Sequence, residues 1–297
     1  MKKYVAIDIG GSSIKHALMT ENGDILEKGS IKTEGNDINL FIESIGKVVD
    51  SYKENNEVNG LACSSPGAVD VYTGFVGGGS AVDCIHGPNI KELLENRTGL
   101  KVSIENDANC AGLAEGWIGA TKGIKNYACV VVGTGIGGCI VINGEILRGK
   151  HLHGGEFGYM FTRDSKSKID NNWSEVASTN ALVNRVSKLK GIDKSKLDGK
   201  KVFELAESGD EEIKLEIDSW YMDLARGIYN IQYIVDPEKI VLGGAISNRE
   251  GFEDKINEKL ALLKGGLATL DIKVEKCKFE NDSNLIGALY HFLYVSK

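Results

Sequence analysis

The sequence has no Cys-x-x-Cys pair: its six cysteines, Cys63, Cys84, Cys110, Cys129, Cys139 and Cys277, are scattered. Disulfide frameworks and zinc ribbons need clustered spacing, so buried, reduced thiols are expected. No stretch approaches the ~20 apolar residues that span a bilayer. Lys2 and Lys3 lead into a run that Asp8, Gly10 and Gly11 soon interrupt, which breaks any signal-peptide core. Positive charge is also short, with 35 Lys and Arg against 42 Asp and Glu and a formal charge of −7. A phosphate backbone needs a basic footprint, so nucleic acid is not an expected partner. Proline is scarce, at three residues, and without a secretion signal the expectation is a cytoplasmic protein with no membrane partner.

What is present is ordinary globular composition, 42% hydrophobic and 26% charged, over 297 residues, a length that favours two domains. An internal repeat organises them. Residues from Tyr4 read YVAIDIGGSSIKHALM and residues from Tyr127 read YACVVVGTGIGGCIVI, so Tyr4 faces Tyr127 and Gly10 faces Gly133. Each block runs from a β-rich segment through a glycine-dense turn to a second β segment. An Asn-Gly turn then follows, Asn22-Gly23 or Asn143-Gly144, of the kind that closes hairpins. Helical spacing marks 38–53, 89–95, 108–120, 174–190, 211–234 and a last helix from about 284 to 294. The reading is an N-terminal lobe over 1–118, with the last helix (about 284–297) packing back on it, and a C-terminal lobe over 119–297.

Residues 133–138, Gly-Thr-Gly-Ile-Gly-Gly, match the Gly-x-Gly-x-x-Gly string of dinucleotide sites. That motif needs a helix next, whereas Cys139-Ile140-Val141-Ile142 and Asn143-Gly144 predict a strand and a hairpin, so NAD binding is rejected. Either the glycines serve a flexible turn, or they let backbone N–H groups approach a phosphate closely. In the first block Asp8 precedes Gly10 and Gly11, and Ser12, Ser13 and Lys15 follow. An acid at a strand end beside such a turn suits Mg²⁺ held through water, and the serines suit phosphate oxygens. Lys15 serves the same charge or is a solvated strand residue.

These blocks resemble the ATPase core shared by sugar kinases, actin and the large heat-shock chaperones. More narrowly, the chain resembles the family of repressors, open reading frames and kinases (ROK). The matching segments run through nearly the whole chain: Asp8–Ser12, Ser65–Asp70, Glu105–Asn109, Gly133–Gly138, Gly155–Gly158 and Asp236–Gly244. The resemblance implies an α/β fold of two actin-like (ribonuclease H-like) domains, a mixed sheet in each, with an interdomain cleft. It implies an ATP-dependent sugar kinase and a homodimer. Asn106 and Asp107 match the pair that holds the sugar, with the Asp as catalytic base. Gly67, a pocket-lining backbone position, and Glu156, a contact of the ring hydroxyls, match sugar-site residues. Gly10, Gly11, Ser12 and Ser13 match one phosphate loop, Thr134, Gly135, Gly137 and Gly138 the other, and Gly243-Gly244 the adenosine-side turn. The chemistry agrees, since phosphoryl transfer needs a base, a metal and in-line positioning. Asp107 can equally cap a helix beginning near Ala108. Glu105, on the opposite side of the strand, is not counted.

The chain departs from the family where a Gly-His and a cysteine-rich segment bind structural zinc. Here Gly158 is followed by Tyr159, and 161–176 contain neither Cys nor His, so no zinc is expected. Tyr159 becomes a sugar contact through its hydroxyl, or else packs in the loop; any role of Ser174 or Glu175 is open. His151 and His153 lack a third nearby ligand and read as a polar rim. His86 is left without a role. A family repressor would carry a DNA-reading unit of roughly sixty residues ahead of the first block, which begins at residue 4. A sugar-binding module without catalysis would not need Asp8, Asp107 and both glycine loops together. Zinc-less members resemble N-acetylmannosamine kinases and also glucose- and β-glucoside-type kinases; the altered loop at Tyr159–Glu175 fits a pocket with room for a bulky 2-substituent, so the first choice is the 6-hydroxyl of N-acetylmannosamine and a place in sialic acid catabolism. Glucose, β-glucosides and fructose are the alternatives.

Overall fold

Runs of β-branched and aliphatic residues bounded by glycine turns form the opening strands. In a computed structural model that describes residues 1–162, 172–265, 269–279 and 281–296, these are β1 (Lys3–Ile9), β2 (Ser13–Thr20) and β3 (Ile25–Lys32). Helix α1 (Ile38–Lys53) follows, capped by Asp37, whose side chain accepts from the amides of Asn39 and Leu40. The chain continues through β4 (Val58–Ser65), a small hairpin of β5 (Ala68–Val69) and β6 (Val76–Gly77), α2 (Ile90–Thr98), β7 (Val102–Asn106) and α3 (Asp107–Ile118). The sheet order is β3-β2-β1-β4-β7. Its first three strands are antiparallel, and β4 and β7 run parallel to β1.

The same plan then recurs. Strands β8 (Tyr127–Val132), β9 (Ile136–Ile142) and β10 (Glu145–Ile146) make the second antiparallel start. Helices α4 (Trp173–Ala177), α5 (Thr179–Lys190), α6 (Gly199–Glu207) and α7 (Glu211–Val235) lead to β11 (Lys239–Gly243), α8 (Phe252–Lys264) and β12 (Val274–Lys276). The order is β10-β9-β8-β11-β12, with β11 and β12 parallel to β8. The sequence repeat is therefore a repeat of topology, and the fold is α/β with two mixed sheets of the actin-like kind. The last helix is α9 (Ser283–Tyr290).

By their contacts, Met1–Gly119, Arg148–His153 and Asp282–Lys297 form one unit, and Ala120–Leu147 with Gly154–Asn281 form the other. The segment Arg148–His153 thus belongs with the first unit, which a single cut near residue 118 does not foresee. The first core gathers Val5, Ile7, Phe41, Ile45, Leu61 and Ile104. The second is built on Trp173, Trp220, Phe203 and Phe252. Both buried indoles are satisfied, Trp173 donating to the Asp223 carbonyl at 2.9 Å and Trp220 to that of Ser178 at 3.0 Å. Among the described residues no helix is long and apolar enough to cross a membrane.

Several boundaries differ from the sequence reading, two of them for a capping reason. The expected helix over 174–190 is two helices, because the Ser178 side chain accepts from the Ala181 amide and starts α5 afresh. The helix expected at Ala108 begins one residue earlier, with Asn106 as its cap. The last helix is α-helical only to Tyr290, then widens into a π turn over His291–Val295.

Small side chains let α9 lie close on α3. A Cβ added at Gly287 would stand 1.7 Å from the Cys110 carbonyl oxygen, a distance no relaxation of a side chain relieves. Gly287→Ala is expected to destabilise the protein by about 3 kcal/mol or more, the upper range for overpacking. Urea unfolding checks this, and a midpoint equal to that of the unaltered protein would show that the helices are not held so tightly.

Candidate active site

Parallel neighbours that end in register put side chains of one row on one face. Asp8 pairs with Ser64, and Ser64 with Glu105, across β1, β4 and β7. Asp8 is buried, and its Oδ1 accepts from Ser64 Oγ and from Asn284 Nδ2, each at 3.0 Å. Lys15, opposite it on β2, brings Nζ to 3.7 Å from Oδ2. The turn after β1 is tight: a Cβ at Gly10 would lie 2.8 Å from the Ser13 carbonyl oxygen, and one at Gly11 2.6 Å from Ala81 Cβ. Gly11 and Ser12 are exposed at its tip, with Ser13 partly so.

At the end of β7 the chain turns directly into α3. Asn106 Oδ1 accepts from the Asn109 amide at 3.1 Å, while its Nδ2 donates to the Gly67 carbonyl and to Asp107 Oδ1, both at 3.0 Å. Asp107 Oδ1 also accepts from the Ala108 amide at 2.8 Å. Of the two expected alternatives, capping falls to Asn106, and Asp107 sits in the first turn, where the helix end favours a negative charge. Gly67 needs its glycine: φ is 95°, and a Cβ would stand 2.9 Å from the Gly77 carbonyl oxygen and 3.3 Å from His86 Cε1. His86, left without a role by the sequence, lies 2.8 Å from Ser80 Oγ through its Nε2 and stands against Gly67.

Glu105 is the residue that sequence reasoning set aside. Its carboxylate is fully buried, and Oε1 accepts from the Asn106 amide at 2.8 Å and from Asn109 Nδ2 at 3.0 Å. Oε2 pairs with Arg148 Nη2, and His291 Nε2 lies 3.8 Å away. The Asn106 amide and the first turn of α3 fold back to meet it, a contact that strand alternation does not register.

In the second unit, Thr134 and Gly135 are exposed in the β8–β9 turn, where the Gly133 amide donates to the Gly135 carbonyl at 2.9 Å. Ser174 Oγ accepts from the Ile136 amide at 2.8 Å and so fixes the turn's far side. Gly137 faces Val131 within β9; Gly138 is buried there, its absent Cβ 2.4 Å from the Phe157 ring. Gly243 ends β11, and Gly244 has φ of 93° with a would-be Cβ 2.2 Å from the Val132 carbonyl oxygen. A cavity of about 770 Å³ opens beside Gly133 and Thr134 and is walled by Asn180, Lys200, Phe203, Ile246 and Arg249. The Arg249 guanidinium lies 4.0 Å over the Phe203 ring. None of these five wall residues stands in a motif that sequence reading could find.

The ROK family model matches residues 4–294. The chain belongs to the ROK family. A β-glucoside kinase of Listeria monocytogenes is 34% identical over 98% of this chain and 97% of its own. A ROK protein of Streptococcus pneumoniae, solved with sucrose, is 39% identical with a TM-score of 0.89 over 98% of both chains. A Listeria monocytogenes protein provisionally described as an N-acetylmannosamine kinase is 34% identical, with a TM-score of 0.88 over 98% of both.

The stretch where this ROK chain departs from the zinc pattern lies partly outside the described residues, since 163–171 fall there. Tyr159 closes a 3₁₀ turn over Phe157–Tyr159 that directly follows Glu156, and it is 68% exposed, so it does not pack in a loop core. His153 Nδ1 lies 2.6 Å from the His151 carbonyl oxygen. Among the described residues no three His, Cys, Asp or Glu gather as a metal site.

His291 is fully buried, and burial pushes its pKa down to about 4, with Glu105 opposing and Arg148 reinforcing that shift. The folded chain refuses a proton that the unfolded chain accepts below its ordinary value of 6.5. Stability should be intact above pH 6.5 and fall as pH drops towards 4, by about 3 kcal/mol from this group. Urea unfolding across that range should show a shallower decline in His291→Asn; parallel declines would remove His291 from the account.

Proposed function

We propose that this sugar phosphotransferase moves the γ-phosphoryl group of ATP onto the 6-hydroxyl of a β-glucoside. The observation that carries the chemistry is the Asp107 carboxylate, oriented by Asn106 Nδ2 and the Ala108 amide at the start of α3. In this reading Asp107 accepts the hydroxyl proton as the oxygen attacks phosphorus. Asn106, the Gly67 backbone, Glu156 and Tyr159 hold the sugar. The turn Gly10–Ser13 and the segment Thr134–Gly138, exposed at Thr134 and Gly135, cradle phosphate, with Lys15 adding charge. Gly243, Gly244 and the cavity beside them take the adenosine.

Asp8 suits Mg²⁺ held through water, since Ser64 and Asn284 fix its orientation two residues before the first glycine turn. The ion, bound with ATP, spreads the charge of the phosphates. No zinc enters the reading. A cytoplasmic homodimer belongs to the same proposal and rests on the sequence reading and the family resemblance.

The choice of β-glucoside follows the Listeria kinase that matches over nearly the whole chain. N-acetylmannosamine, the first choice from sequence, keeps one specific support in the second Listeria protein. ADP release with Mg·ATP should be measured against cellobiose, N-acetylmannosamine, glucose and fructose, with the product located by ³¹P NMR. The β-glucoside should show the highest kcat/KM; a better N-acetylmannosamine would select the second reading, and no sugar phosphate at all would end both. Asp107→Asn should lower kcat ~10²–10⁴-fold with ATP affinity little changed. Turnover near that of the unaltered protein would remove Asp107 as the base.

A further inference from the structure

We infer that Glu105 and Arg148 are positioning residues for the reaction: their buried ion pair holds Asn106, and through it the Asp107 carboxylate, in the orientation that takes the proton. The inference rests on the reading of Asp107 as base.

The connection is short and continuous. Arg148 Nη2 pairs with Glu105 Oε2. Glu105 Oε1 accepts from the Asn106 amide and from Asn109 Nδ2, so one carboxylate grips both the last residue of β7 and the first turn of α3. Asn106 in turn donates to Asp107 Oδ1 and to the Gly67 carbonyl. Any rotation of Glu105 would move the Asn106 backbone, and with it both of those bonds. Arg148 is the first residue of the segment Arg148–His153 that rejoins the first unit, so its guanidinium also pins that segment.

Energetics argue that the pair is kept for orientation. Glu105 is fully buried and the Arg148 side chain is 19% exposed. Two charges removed from water lose more solvation than their attraction returns unless every remaining donor is satisfied, and apolar replacements often match or exceed such pairs in stability. Arg148 Nε and both ring nitrogens of His291 are buried without a hydrogen-bond partner among the described residues. His291, neutral by its depressed pKa, does not share the countercharge with Arg148. A buried ion pair is a poor stabiliser, whereas a single strong, directional charge contact is a good means of fixing geometry.

The test compares Arg148→Lys, which keeps the charge but not the planar fork, with the double variant Glu105→Gln/Arg148→Met, which removes both charges. Both should fold, by urea midpoint and circular dichroism, with the double variant close to the unaltered protein. In the double variant kcat should fall ~10- to 100-fold, as expected of a misplaced reacting group, while KM for ATP holds. Arg148→Lys should recover part of that loss. A kcat within twofold of the unaltered protein in either folded variant overturns the inference; should the double variant not fold, Arg148→Lys alone decides. Asp107→Asn in the same assay separates the two claims. An active unaltered protein, an impaired Asp107→Asn and a fully active Arg148→Lys would defeat only the positioning role. No activity in the unaltered protein would defeat the functional reading beneath it.

Discussion

Register between three parallel strands is the constraint on which the first unit turns. Because β1, β4 and β7 pair as Asp8 with Ser64 and Ser64 with Glu105, their polar ends arrive together on one row. Ser65 and Asn106 form the next row and point the other way. A slip by one residue would exchange the two faces and scatter the carboxylates. The apolar run before each polar end prevents it, since Val5, Ile7, Leu61 and Ile104 have no other place to be buried.

The second unit repeats the topology without repeating the chemistry. Where β1 offers Asp8, β8 has Val131; where β4 ends in Ser64 and Ser65, β11 ends in Gly243, with Gly244 just beyond it. Carboxylates and hydroxyls gather on one sheet, and glycine turns beside an open cavity on the other. The first arrangement suits proton transfer, which needs fixed polar groups. In the proposed function the second would take the nucleotide, which needs space and backbone amides.

Much of this was legible in the sequence because it is local. The tandem β blocks, the Asn-Gly hairpins and the long periodic helix Glu211–Val235 declare themselves over ten to twenty-five residues. Asn106 and Asp107 are found through the family resemblance, with which the place of Asp107 after a strand-like run agrees. What escaped reading is non-local. Glu105 meets Arg148 across 43 positions, and nothing near either residue announces the pairing. The break at Ser178 is a competition between helix continuation and a side-chain cap, which apolar spacing does not register. The cavity wall draws on α5, α6 and the turn after β11, elements whose sequences are ordinary for amphipathic helices and a loop. Glycine motifs mark where a backbone must come close; they do not say what lines the opposite side.

The placement of α9 bears on how the chain is made. Residues Asp282 onward belong with the unit that begins at Met1, and Asn284 supplies one of the two 3.0 Å bonds to Asp8. During synthesis, β1 to β7 leave the ribosome long before the helix that covers them, whereas nearly all of the other unit is contiguous. Domains generally fold as units, the earlier-made one first; here that order is inverted. The nascent first sheet must wait with one apolar face bare through some 160 further residues, which is the interval in which holdase chaperones would find it.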